Sequence, residues 1–543
     1  MQFASFDVGD PVFDVLGLRL SLELVTLENL YAVDPERVRV ERADGRARIL
    51  AEGLRFAGGQ RGCEGAIELE ASVDSGAVRL RARARAGAPI RCMKLWLRDL
   101  DPALAVATDG ERFAAVPDHG ELLVYPTQLH TPLVFTRAGG RSFGLRAEDP
   151  RVREKRFALF RERTGPLAGR GSIELIHEED ASRFGPALEA PDFLVASGAE
   201  PSRFEAEHLA WLERAHGLGP FASRADVPAW SRALRLVVTL HGMHWTGRVL
   251  LDYAAMLEVL RFVAARIEPA HVLAYLPGWE GRYYWQYGEY RPEPQLGGER
   301  GFARLCEGAR LLGIHLMPMF GAHCANAWLP SLRDLDAAAH LKSATGSRFL
   351  GNRPDWDLSR AHDPGWQAWL NPGHPSWRDA LAGQIESLAG RFGFDAVFLD
   401  TTEVWTNDRD HPVFDGMRAL AERLRARIPG LLLAGEYDYD ALLALFPLFQ
   451  RAWWTQAPAW TRRYVRRFGH LCEGEPEGRT GVHELGIFRA GAVAAGPGLL
   501  ATLAFQDGTL ERSREAVEQA IREAAEDGRR VKSTPRPADP AAT

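Results

Sequence analysis

Asp400 and Glu436 are the residues in this chain whose types and positions best fit chemistry. Asp400 closes the apolar run Phe394-Asp395-Ala396-Val397-Phe398-Leu399-Asp400, and Glu436 closes Leu431-Leu432-Leu433-Ala434-Gly435-Glu436. Each run reads as a short buried strand that gives way to a loop at its acid. A helical stretch from Phe414 to Arg427 lies between them. In a parallel barrel, consecutive strands finish side by side on one face, and that face carries the chemistry. Two carboxyl groups placed there can share one substrate bond, which is what glycoside hydrolysis needs. A lone Asp after a strand is as often a helix N-cap or a turn residue, and a lone Glu is often an ion-pair partner. Thr401 and Thr402 cap equally well, however, and two acids at adjacent strand ends favour the chemical reading.

The elements that must position this pair begin after Pro228. Leu234–Leu240, Val272–Leu276 and Ile314–Phe320 read as strands, and Leu250–Ala265 and Gly301–Leu312 have helical spacing. A long insertion follows, then a helix from Trp377 to Arg391, the Asp400 strand, the next helix and the Glu436 strand. Strands alternating with helices at this spacing predict a (β/α)8 TIM-type barrel over residues 226–528. Arg451–Thr455, Gly481–Ile487 and Leu499–Phe505 are the expected sixth, seventh and eighth strands, with Arg512–Glu526 as a closing helix.

Residues 1–225 carry a different rhythm. Ala66–Val73 and Val78–Arg85 alternate strictly around Asp74-Ser75-Gly76, which predicts a hairpin with one wet and one buried face. Val38–Gly45 also alternates and ends in a turn pair. Many such strands with almost no helical period predict a β-sandwich. The fold class expected is therefore multidomain, an N-terminal β-sandwich followed by an α/β barrel. Residues 529–543, rich in Pro and Ala, read as a disordered tail.

The residues after each proposed strand form a consistent set: His241, His244 and Trp245; then Trp279, Glu280, Arg282, Tyr283, Tyr284, Trp285 and Tyr287; then His323 and Asn326. Glu403, Trp405, Asn407 and Asp408 follow Asp400, and Tyr437 and Asp438 follow Glu436. Trp453, Trp454, His483, Glu484 and Asp507 complete it. The set is acidic, imidazole-bearing and aromatic, without a lysine or a cysteine cluster. It suits a neutral polyol and an oxocarbenium-like transition state better than a phosphate. For any one Trp, core packing is the commoner role.

Composition excludes other classes. A formal net charge of -6 over 543 residues gives no reason to expect nucleic acid or a membrane as partner. No apolar run reaches the roughly 18 residues of a membrane span, and no signal peptide is evident, so a cytoplasmic location is expected. The five cysteines are scattered with no CxxC pair, which argues against a disulfide framework and a zinc site. No GxGxxG or P-loop is present. No metal or cofactor is expected; oligomeric state stays open.

Three blocks give the chain a likeness to retaining α-glycosidase barrels. Leu312-Gly313-Ile314-His315-Leu316-Met317-Pro318-Met319-Phe320 through His323 resembles the third-strand block of the α-amylase clan. Asn371-Pro372-Gly373-His374-Pro375-Ser376-Trp377-Arg378 through Asp400 resembles the stretch leading to that clan's nucleophile, and Leu433-Ala434-Gly435-Glu436 the block holding its acid/base. Family 101 endo-α-N-acetylgalactosaminidases share this acid order and also place a galactose-mutarotase-like supersandwich before the barrel. Families 31 and 36 have a similar plan but use two aspartates. The clan's Arg two residues before the nucleophile is Phe398 here, and His483-Glu484 only loosely replaces its seventh-strand His-Asp pair.

The resemblance implies a glycoside hydrolase cleaving an α-linked glycan with retention, Asp400 as nucleophile and Glu436 as general acid/base. Candidate sugar-stacking residues are Trp279, Tyr283, Trp405 and Trp453; His323 and Asn326 are candidates for hydroxyl contacts. His241, Glu280, Glu403 and His483 complete the expected substrate-binding set. The alternatives are a catalytically silent barrel that binds a glycan, and a barrel lyase or isomerase.

Overall fold

The structure is a computed structural model that describes residues 12–533 except 16, 44, 57–58, 75, 166, 245–246, 283–284, 334, 343–349, 352–366, 403, 452–456 and 470–490. Among the described residues, seventeen strands between Phe13 and Ser197 form one antiparallel hydrogen-bonded system that folds on itself as a sandwich. The expected hairpin is there: Arg61–Asp74 pairs with Ala77–Ala86 through Val73↔Val78. Along the second strand, buried alanines alternate with exposed arginines, so one face packs on the core and the other meets water.

Helix α1, Pro201–His216, leads out of the sandwich. The Glu200 side chain accepts hydrogen bonds from the Ser202 and Arg203 amides, Pro201 opens the first turn, and Gly217 in the left-handed region ends the helix. Its buried side chains Phe204, His208 and Leu212 face the body of the protein.

Eight parallel strands then form a barrel: β1 Leu236–Leu240, β2 Val272–Leu276, β3 His315–Gly321, β4 Ala396–Asp400, β5 Leu432–Gly435, β6 Leu448–Arg451, β7 Arg466–Gly469 and β8 Leu499–Phe505. β1 pairs in parallel with both β2 (Leu236↔Val272) and β8 (Leu236↔Ala501), which closes the ring. Helices α2 Tyr253–Ala264, α3 Gly298–Leu312, α4 Pro375–Phe392 and α5 Val413–Arg427 cover its outer surface, and α6 Thr509–Ser533 follows β8. Single 3-10 turns, Asp440–Ala444 and Ala459–Arg463, stand after β5 and β6 where a helix would be regular. Tyr275, Phe398 and Phe468, from β2, β4 and β7, meet inside the barrel with ring centroids 4.7–6.0 Å apart.

The sequence-based strands hold for β1 to β5 and β8, and β6 and β7 begin earlier in the chain than expected. The sixth was expected at Arg451–Thr455, of which 452–455 lie outside the described residues, and β6 is Leu448–Arg451. The seventh was expected at Gly481–Ile487, which lies outside the described residues, and β7 is Arg466–Gly469. β7 hides from a hydropathy reading because Arg467 is buried by pairing with Asp438. Residues 529–533, expected as tail, continue α6. Among the described residues, no helix is long and apolar enough to cross a membrane.

Candidate active site

The two acids meet at the top of the barrel. Asp400 is the last residue of β4, paired on one side with Gly321 of β3; on the other side Leu399 pairs with Gly435 of β5. The Glu436 amide extends that ladder by donating to the Leu399 carbonyl at 3.1 Å. Parallel pairing thus delivers both side chains to one place, and their carboxyl groups hydrogen-bond each other. Asp400 is 1% exposed and Glu436 9%.

The turn after β4 fixes the pair. Thr401 sits at φ 62°, a left-handed conformation that costs a β-branched residue about 1–3 kcal/mol. In return its amide donates to Glu436 Oε2 at 2.9 Å, and its hydroxyl to the Asp400 carbonyl at 2.6 Å. Thr402 then bonds both the amide and the carbonyl of Tyr437, locking the β4 loop to the β5 loop.

Tyr287, from the loop after β2, donates its hydroxyl to Asp400 Oδ2 at 2.6 Å. Its ring crosses the end of β3 at Gly321, where an added Cβ would lie 2.4 Å from the ring. Only glycine allows that crossing. Trp377 of α4 supports the same corner by donating its indole N–H to the Ala322 carbonyl at 2.8 Å.

Burial pushes the Asp400 carboxyl above its ordinary range, against the hydrogen bonds from Tyr287 and Glu436, which favour its anion. Two buried carboxyl groups in contact hold one proton between them, because two anions at that range repel. The pair therefore presents one carboxylate and one carboxylic acid, the division of labour that glycosidic cleavage requires.

A third acid lies near. Glu280 is fully buried, and neither of its oxygens has a hydrogen-bond partner outside its own residue. Burial pushes its carboxyl up to about 8, opposed by its own amide and reinforced by the charges of Asp400 and Glu293. It is held neutral at pH 7. A proton kept in the folded chain to about pH 8, but lost near 4.5 when exposed, makes stability fall as pH climbs between those values. Replacing Glu280 with Leu is expected to stabilise the fold by about 1–3 kcal/mol, since an unsatisfied buried polar group is removed. The readout is a higher urea midpoint; a lower one would show that the carboxyl has a bonding role in the folded chain.

The other sequence-predicted residues fare unevenly. His323 is fully buried beside the pair: its amide donates to Thr401 Oγ1 at 3.3 Å and its Nδ1 faces the Leu370 carbonyl at 3.1 Å. Burial lowers its pKa to about 4, so the ring is neutral, with the proton on Nδ1 and Nε2 left as an acceptor without a partner. His241, also fully buried, follows β1 against the Gly278 turn. Trp405 lies edge-on to Tyr439 at 5.4 Å, its indole N–H unpartnered. One assignment needs correction. Trp279 does not offer a face to a sugar: it is fully buried, stacked on Phe302 of α3 at 4.9 Å, and donates to the Met319 carbonyl. Asn326 is buried, with one Nδ2 hydrogen donated to the Trp285 carbonyl and Oδ1 accepting from the Trp328 amide, which fixes its side chain against the loop after β2. Tyr283, Glu403, Trp453 and His483 lie outside the described residues. Sequence reasoning placed Tyr287 in the set after the second strand without giving it a role and read Thr401 only as a cap; a glycine at the end of β3 was the one available signal of a close approach there.

Solved structures match this architecture over most of the chain. The α-N-acetylgalactosaminidase of Bifidobacterium bifidum in complex with GalNAc superposes with a TM-score of 0.62 at 14% identity, covering 86% of this chain and 83% of that one. Its ligand-free form gives 0.63 at 14% identity, covering 88% and 86%. The GH36 α-galactosidase of Geobacillus stearothermophilus in complex with raffinose gives 0.50 at 12% identity, covering 91% and 71%. The shared fold is the sandwich followed by the closed barrel, and family 36 is one of the groups whose plan the sequence resembles. No protein-family profile and no curated protein matches the chain. Among the described residues, no group of three His, Cys, Asp or Glu side chains is arranged to hold a metal ion.

Proposed function

We propose that this chain is a glycoside hydrolase that cleaves an α-linked glycan with retention. The observation that carries the reading is the buried Asp400–Glu436 pair at the ends of β4 and β5, with the Tyr287 hydroxyl donating to Asp400; one proton within that pair supplies both nucleophile and acid. Asp400 Oδ attacks the anomeric carbon while the Glu436 proton passes to the glycosidic oxygen, so the leaving sugar departs as an alcohol. Water then attacks the glycosyl ester, gives its proton to Glu436, and frees Asp400 as a carboxylate. A retaining pair stands roughly 5–5.5 Å apart around the scissile bond and an inverting pair roughly 6.5–9.5 Å. The adjacent strand ends and the hydrogen bond between the two carboxyl groups favour the shorter, retaining separation.

The fold neighbours act on α-N-acetylgalactosaminides and α-galactosides by their names, so the p-nitrophenyl α-glycosides of these two sugars are the first substrates to test. The product should appear first as the α-anomer when followed by proton NMR. Initial release of the β-anomer would overturn retention. Tight binding of α-linked glycans with no turnover across a wide panel would instead favour the silent glycan-binding barrel.

A further inference from the structure

A cleft of about 440 Å³ opens between the sandwich and the barrel, with Tyr437, the residue that follows Glu436 in sequence, in its lining. Its sandwich wall is the segment 126–131 with Thr108 and Leu133, and its barrel wall is Tyr437, Asp438 and Tyr439, the residues directly after the proposed acid/base, with Ala457 and Pro458. That barrel wall does not drift relative to the reacting pair, because Thr402 holds Tyr437 by both its amide and its carbonyl.

The sandwich wall is equally fixed. His130 Nε2 lies 2.9 Å from Asp438 Oδ2, and the His130 carbonyl accepts from the Asp440 amide at 2.8 Å. Tyr125, just before the segment, donates to Asp440 Oδ1 at 2.6 Å. These contacts join residues more than 300 positions apart in sequence. The Tyr125–Asp440 bond is buried, so water does not compete for it, and the His130–Asp438 contact is partly buried.

The lining mixes apolar side chains with neutral polar groups. Asp438 is its one carboxylate, and it is answered by His130 and by Arg467. Thr108, Thr127 and Gln128 bring neutral hydroxyl and amide groups to an open rim, while Tyr437 and Tyr439 bring rings. Neutral hydrogen-bonding groups beside aromatic rings match a sugar better than an ion or a lipid.

Position within the reaction gives the cleft its role. A general acid in glycoside cleavage protonates the leaving-group oxygen, so the departing half of the substrate must lie on the acid's side of the scissile bond. We infer that this interdomain cleft is the leaving-group subsite, and that the sandwich segment 126–131 helps select the sugar attached there. The inference rests on the hydrolase reading above, with Glu436 as the acid.

The test compares two substrates of the same glycosyl group, galactosyl or N-acetylgalactosaminyl, whichever the wild-type enzyme accepts. One is the α-glycosyl fluoride, whose leaving group fills almost no space; the other is an α-linked disaccharide. Thr127→Trp and Thr108→Trp each place an indole at the exposed rim, on side chains outside the reacting pair. Both variants are expected to raise KM for the disaccharide about ten-fold and to leave kcat/KM for the fluoride within about two-fold. Equal loss on both substrates, or no change on either, overturns the subsite while the hydrolase reading stands. Failure of the wild-type enzyme to cleave any of a wide panel of α-glycosyl fluorides, these two included, overturns the hydrolase reading, and the subsite with it.

Discussion

Asp400→Asn is expected to lower kcat/KM by about 10⁴-fold or more on every substrate the enzyme cleaves, whatever its leaving group. The amide keeps the shape of the carboxylate and can still accept from Tyr287, so the loss reports missing nucleophilicity rather than a collapsed site. Glu436→Gln should behave differently. It removes a proton donor, worth about 10²–10⁴-fold where the leaving group is a sugar alcohol. The fluoride leaves without protonation, so its first step should be nearly untouched. This divergence separates the two roles. If Glu436→Gln were the variant insensitive to leaving group and Asp400→Asn the sensitive one, the assignments would be exchanged. Wild-type rates in both variants would move the chemistry away from the β4 and β5 ends altogether.

The acids were legible in the sequence for a simple physical reason. A barrel strand is buried on both faces, so it reads as an unbroken apolar run, and a carboxylate that ends such a run stands out. β4 is fully buried along its length up to Asp400. The same rule hid β7, because Arg467 is tolerated in a buried strand only by pairing with Asp438, a partner that no local pattern reveals. Loop aromatics were harder still. Trp279 and Tyr287 both follow β2, and the sequence does not say that the first turns outward onto α3 while the second reaches inward to Asp400. Phe398 illustrates a third limit. The α-amylase clan has an arginine at that position; here the ring fills the barrel interior against Tyr275 and Phe468. The departure is part of the packing, and its meaning appears only once its neighbours are known.

Asp440 carries the largest expected effect on stability. It is 1% exposed, and it accepts from Tyr125 of the sandwich while facing Nε2 of His208 on α1 at 2.8 Å. Sandwich, connecting helix and barrel therefore converge on one carboxylate. Burial opposes its ionisation, but the bonds to His208 and Tyr125 outweigh that cost and hold its carboxyl below the ordinary range. Asp440→Ala removes the acceptor and leaves two polar groups buried without it, which should cost about 3–5 kcal/mol in urea unfolding. Asp440→Asn keeps an acceptor oxygen and should lose less. A depressed folded value also sets the sign with pH: the stabilisation is complete above about pH 4 and is lost as acid protonates the folded carboxylate below it. In Asp440→Ala that acid-dependent part should shrink. An alanine variant within about 1 kcal/mol of wild type would show that the three elements are held together elsewhere. The same substitution should weaken hydrolysis of the disaccharide more than of the fluoride, because Asp440 anchors the sandwich segment that walls the proposed leaving-group cleft.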